Sequence, residues 1–176
     1  MNRTNTVVPL AAALGIAATA VVFVVPAVAA TREIPADGTF VIAAEVPGAG
    51  TQCAARKVNA LTLHFAPCNP RDTNQLWVRG RTDSAGYSMV MGVDRRCISP
   101  SFYTVLPAVS CQKIEKGTNT EGYWRQTDDG KVVNHGPTPS RLSYWGVRGS
   151  GSTASLSTNS SQGNARSVEL IWVKVV

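Results

Sequence analysis

PCNPRDTNQLW, residues 67–77, closes on a tryptophan whose position recurs through the rest of the chain. Trp124 follows Trp77 by 47 residues, and Trp172 follows Trp124 by 48. The cysteines step similarly: Cys53 to Cys97 is 44 residues and Cys68 to Cys111 is 43. Each of the first two units therefore reads Cys, Cys, Trp in that order. The third has no cysteine; continuing the step brings Leu142 and Leu156 near the two slots, so apolar residues replace a bridge there. Self-similarity at a fixed period of this size marks a repeat architecture, in which one unit cannot bury its apolar face alone.

Short alternating runs predict strands at Thr39 to Val46, Leu61 to Phe65, Tyr87 to Val93 and Val168 to Val175, with Leu61, Leu63 and Phe65 on one face. Turn residues separate them at Asp37-Gly38, Pro47-Gly48, Ala85-Gly86 and Asp128-Asp129-Gly130. Helical periodicity is absent after the first 30 residues. Many short strands with regular turns predict an all-β sandwich, barrel or propeller. The three repeats of about 47 residues sharpen this to roughly twelve strands in three groups around one tryptophan-lined core. The Gly149 to Gly163 stretch reads as loops flanking a short strand at Leu156.

Residues 1–30 have the shape of a secretory signal peptide: Arg3, an apolar run from Leu10 to Val25, Pro26, then Ala27-Val28-Ala29-Ala30. Ala27 and Ala29 fit an A-x-A cleavage site, with a second cut one residue on. A retained anchor is the alternative, since about 20 apolar residues can span a bilayer. Residues 31–176 then form one domain, large enough for its own core. The net charge of +6 is scattered over Arg56, Lys57, Arg71, Arg79, Arg81, Arg95, Arg96 and others, without a long run of one sign. That favours a solvated surface over a nucleic-acid partner, while leaving acidic cell-wall polymers open.

Four cysteines in an exported chain imply two disulfides with three possible connectivities. Cys53–Cys68 with Cys97–Cys111 is the pairing that treats the two units alike. A zinc site is disfavoured by the wide spacing and by histidines, His64 and His135, that fall in no ligand cluster. No metal or cofactor is expected.

The stretch ending at Gln75-Leu76-Trp77, with Gly122-Tyr123-Trp124 and Leu170-Ile171-Trp172 in the other units, resembles the ricin-B-type β-trefoil family, whose hallmark is Gln-x-Trp near the end of each of three repeats. Trp124 is also followed by an Asp-Gly turn, an apolar strand and Asn134, as in the family. The resemblance implies a β-trefoil in which Trp77, Trp124 and Trp172 pack around a pseudo-threefold axis and Gln75 fixes backbone. Sugar-binding repeats of the family combine an Asp two residues past the first cysteine, an aromatic platform shortly before the second, and an Asn before the Gln. Carboxylate and amide meet adjacent hydroxyls while the ring covers the apolar face of the sugar.

By that pattern the first unit keeps Asn74, but Ala55 and Ala66 stand in the other two places, with His64 and Phe65 close enough to substitute. The second unit reads Ser99, Val109 and Glu121, and the third Tyr144 and Glu169 without a platform. No nucleophile and base constellation surrounds either histidine, and Asp128 with Asp129 reads as a turn rather than a catalytic pair. The sequence thus predicts a secreted, non-catalytic binding module. Its first expected partner is a carbohydrate or cell-wall glycopolymer, taken weakly at the first repeat. The alternative is a protein partner engaged by exposed loops, as in an inhibitor or toxin-complex subunit.

Overall fold

The computed structural model describes residues 30–31, 33–57, 62–99, 108–116, 122–134, 144–159, 166–167 and 169–175. Residues 1–29 of the expected signal peptide 1–30, together with Leu61, Glu121, His135 and Leu142, lie outside them. The described chain is all-β apart from one short helix and one 3-10 turn. Its strands are β1 (Ala30–Thr31), β2 (Thr39–Val46), β3 (Gly50–Arg56), β4 (Leu63–Ala66), β5 (Trp77–Thr82), β6 (Ser88–Gly92) and β7 (Arg96–Ile98). There follow β8 (Ala108–Ser110), β9 (Tyr123–Gln126), β10 (Val132–Asn134), β11 (Tyr144–Arg148), β12 (Ser155–Asn159), β13 (Arg166–Ser167) and β14 (Leu170–Val175). These fourteen strands, two of them two-residue pieces, replace the twelve expected. Helix α1 (Cys111–Lys116) and the 3-10 turn Gly151–Thr153 carry no periodic signal, because neither is long enough to build an amphipathic stripe.

All pairings are antiparallel. β2 pairs with β3, β3 with β4, and β2 with β5. β6 pairs with β7, β7 with β8, and β6 with β9. β10 pairs with β11, and β11 with β12. The groups join through β5–β6, β9–β10 and β14–β2, and β4 pairs with β12, which closes a ring through β2, β3, β4, β12, β11, β10, β9, β6 and β5, with β14 added beside β2. Where the chain reverses between β2 and β3, Gly48 takes φ 75°, a left-handed conformation that glycine reaches without a Cβ penalty.

The period-two alternation of β2 shows how the layers form. Phe40, Ile42, Ala44 and Val46 enter the main core, while Val41 and Ala43 face the other way onto Cys53. Leu63, Phe65, Leu156, Leu170 and the indoles of Trp77, Trp124 and Trp172 complete the main core, each tryptophan fully buried. A fourth indole, Trp145 on β11, sits among them, edge-on to Trp124 at 5.0 Å and tilted on Trp172 at 5.9 Å between ring centroids. Phe40 closes the row against Trp172 at 5.3 Å.

A buried indole N–H usually finds a hydrogen-bond partner. Trp77 donates to the Ala54 carbonyl at 3.2 Å and Trp124 to the Ile98 carbonyl at 2.9 Å. Both acceptors directly follow a half-cystine of the two disulfides, Cys53–Cys68 and Cys97–Cys111. Trp172 donates instead to the Gln126 side-chain oxygen. Trp145 Nε1 has no hydrogen-bond partner among the described residues.

This difference sets an expectation for two conservative variants. Trp124→Phe forfeits both volume and a buried hydrogen bond, whereas Trp145→Phe forfeits volume alone. Urea unfolding should find Trp124→Phe the more destabilised by about 1 kcal/mol, the usual net worth of one hydrogen bond. Equal losses would contradict the assignment of the indole partners.

Candidate functional site

The β3–β4 hairpin and the loop that follows it, residues 67–76, carry the sequence-predicted site. In the β3–β4 register Ala54 faces Phe65 and Ala55 faces His64. Because side chains alternate across a strand, neighbours point to opposite faces. Phe65 follows Ala54 into the main core and is only 3% exposed. Its ring is therefore unavailable to a ligand, which corrects the expectation that it could serve as a platform. His64 lies on the other face, half-buried, with Ala55.

The loop is tied from inside by Gln75, itself buried. Its Oε1 accepts the Asn69 N–H at 2.8 Å and its Nε2 donates to the Pro67 carbonyl at 2.9 Å. Gln75 thus spends its amide on backbone. One residue earlier, Asn74 is half-buried, and both its N–H and its Nδ2 donate to Asp72 Oδ1, at 2.9 and 3.0 Å. The result is a carboxylate and an amide side by side on one turn. Asp72 was not marked by the family pattern, which seeks its carboxylate at the Ala55 position; the Asp-x-Asn spacing of a local turn was the signal for it.

Arg56 was also missed, having been read as one of the scattered surface charges. It is only 7% exposed. Its N–H and Nε donate to the Asn74 carbonyl at 3.0 and 3.5 Å, its Nη2 to the Thr73 carbonyl, and its Nη1 pairs with Asp94. The guanidinium also lies 5.5 Å from the Trp77 ring centroid. Burial pushes its pKa below the ordinary arginine value, with Asp94 opposing. A Cβ at Gly92 would come within 2.6 Å of Nη1, so glycine there makes room for the buried cation. Arg56 therefore clamps the Thr73-Asn74 backbone from below.

His64 lies within electrostatic reach of Asp72 in this turn. Burial first, and the charge of Lys57 second, push its pKa below the ordinary imidazole value, with the Asp72 charge acting the other way. Its Nδ1 is buried without a hydrogen-bond partner among the described residues. The loop surface thus gathers a carboxylate, an amide and a neutral imidazole, without an aromatic platform.

The corresponding places elsewhere are filled differently. Val109 packs on the apolar cluster around the Cys97–Cys111 bridge. At Gly122, the counterpart of Gln75, a Cβ would come within 2.5 Å of Ile114, so α1 occupies the space a side chain would need. Asp129 is held down to about 2 by hydrogen bonds from Lys131 and then Thr127. That is an exposed turn pair rather than a proton-transfer group. Among the described residues there is no group of three or more metal-ligating side chains.

No protein-family model matches the chain, and no curated protein matches it. Among solved structures it is similar to a GlcNAcα1-4Gal-releasing endo-β-galactosidase from Clostridium perfringens. The TM-score is 0.52 at 12% identity, over 77% of this chain and 32% of that one. The chain thus spans about a third of that protein, and the likeness concerns fold alone.

The depressed His64 pKa fixes a direction for pH dependence. Above about 6.5 the imidazole is neutral in both states; below it the unfolded chain takes the proton first, so stability falls as pH drops through the folded-state value. Urea midpoints measured from pH 8 to 5 should decline for the wild type relative to His64→Gln. Parallel curves would show that the imidazole is not buried as described.

Proposed function

We propose that this chain is a secreted β-trefoil of ricin-B type that binds rather than catalyses, taking a carbohydrate or cell-surface glycopolymer weakly at its first repeat. The strand pairing supports the trefoil. Residues 39–82 and 88–126 each run first strand on second, second on third and first on fourth, and residues 132–159 repeat the first two of those steps. Two disulfides are consistent with export, and no helix among the described residues is long and apolar enough to cross a membrane.

The observation that carries the binding reading is the Asp72–Asn74 pair, pinned from below by Arg56 and from behind by Gln75. A fixed carboxylate and amide can accept from and donate to neighbouring hydroxyls of one sugar ring. His64 adds a neutral imidazole at the edge. Asp72 supplies the acid that Ala55 cannot. Without an aromatic platform the apolar face of the sugar stays uncovered, so binding is weak. The similar Clostridium perfringens protein is an endo-β-galactosidase, which agrees with a sugar-related reading of this fold.

A glycan array followed by titration of the best ligand tests this. Asp72→Asn and Asn74→Ala should each weaken binding at least tenfold, because hydrogen bonds to a charged group contribute about 1.5–3 kcal/mol, while the melting temperature stays near wild type. An empty array, or binding indifferent to both substitutions, would instead favour a protein-binding trefoil.

A further inference from the structure

Two residues beyond each repeated tryptophan stands a polar side chain: Arg79, Gln126 and Lys174. Period-two alternation puts each on the same strand face as its tryptophan, one step nearer the strand end. Lys174 is tied to Asp37 at 3.0 Å. Gln126 is spent on the Gly130 and Leu170 carbonyls, at 2.9 and 3.0 Å, and on the Trp172 indole. Of the three, Arg79 is the one that leaves a planar fork of donors open. Its Nε donates to Ser88 Oγ at 2.9 Å and Thr82 Oγ1 at 3.2 Å, and among the described residues its Nη atoms have no partner.

Arg79 lines a cleft of about 460 Å³ with Glu33, Arg125 and Asp128, and the buried Trp124 contributes to its wall. This is within the range of small-ligand sites, about 300–1,000 Å³. None of its lining residues belongs to the Asp72–Asn74 turn. A register shift between Arg79 and Thr82 brings both side chains onto Ser88, whose hydroxyl is buried and bonded to Thr82 at 2.9 Å. Such an irregularity re-aims a side chain, and here it fixes the guanidinium by its Nε. Arg125 stacks on Tyr87, with Cζ 4.6 Å from the ring centroid. Asp83 in turn holds the Tyr87 N–H at 2.9 Å, so the ring is set by its own turn.

The cleft therefore offers an oriented guanidinium fork, a second guanidinium and the exposed Asp128 carboxylate among its lining residues. A planar fork matches a carboxylate with two parallel hydrogen bonds. Carboxylates suit hydroxyl donors but repel a polyanion such as polyphosphate. We propose that this cleft binds an acidic sugar, the uronate class, with the ligand carboxylate on Arg79, Arg125 beside it, and ring hydroxyls toward Asp128. This second site is distinct from the first-repeat turn.

Methyl β-glucuronide, methyl β-glucoside and inorganic phosphate, each titrated into ¹⁵N-labelled full-length mature protein, test the assignment. The glucuronide should shift backbone resonances of Arg79, Gly86 and Arg125, and bind at least tenfold more tightly than either of the others. Arg79→Lys, which keeps the charge and removes the fork, should weaken the glucuronide at least tenfold. Arg125→Gln, at an exposed position, should weaken it severalfold and serves if the lysine variant does not fold. Asn74→Ala should leave glucuronide binding unchanged, so failure at the first-repeat turn is read separately. No glucuronide binding, phosphate binding as tightly, indifference to both arginine substitutions, or loss in Asn74→Ala would each overturn the proposal.

Discussion

Hiding four indoles in one small core, three of them with their N–H groups paired inside it, is the constraint on which the rest of this structure depends. A tryptophan brings 150 to 250 Å² of mostly apolar surface into a core and one donor that usually finds an acceptor there. Trp77 and Trp124 answer it in the same way, on the carbonyl of the residue after a half-cystine, Ala54 and Ile98. Each disulfide-closed loop is thereby tied to the strand that bears its own tryptophan, and the chain-entropy effect of the bridge acts where the indole already fixes the backbone. The unit without cysteines uses a side chain instead: Gln126, at the end of β9, accepts from Trp172 and also donates to β14.

The Asp72–Asn74 turn inherits its order from that core. Trp77 ends the loop and fixes β5, Arg56 lies over its ring, and the Arg56 donors hold the Thr73 and Asn74 carbonyls. A buried cation is costly unless it is paired and hydrogen-bonded. Its use of two loop carbonyls and Asp94 ties the ordering of the polar turn to the packing beneath it. Asp72 and Asn74 therefore present a preformed pair, which lowers the entropy a ligand must overcome.

Much of this was legible in the residues because it follows from period and spacing. The tryptophan interval, the cysteine interval and the alternation in Thr39 to Val46 lead to strands, core faces and the disulfide pairing without any coordinates. The role of Gln75 as a backbone tie was implied by the Gln-x-Trp resemblance. Other features depend on neighbours distant in sequence. Trp145 has no counterpart at the repeat interval, so only packing reveals it as the indole bridging Trp124 and Trp172. Arg56 looks like any surface arginine until Gly92, Trp77 and Asp94 close over it. Phe65 and His64 differ by one position, and that single step of alternation decides which faces the core. Gly122 reads as a decayed Gln-x-Trp motif, whereas its missing side chain leaves the room that Ile114 takes.

Hydrogen exchange of the four tryptophan indole N–H groups, followed by ¹⁵N NMR at neutral pH, tests the shared core most directly. All four are buried, so the resonances of Trp77, Trp124, Trp145 and Trp172 should exchange only through a common global opening, with one shared free energy. An indole that exchanges fast on its own, Trp77 above all, would contradict a single core that holds both the strand ring and the first-repeat turn.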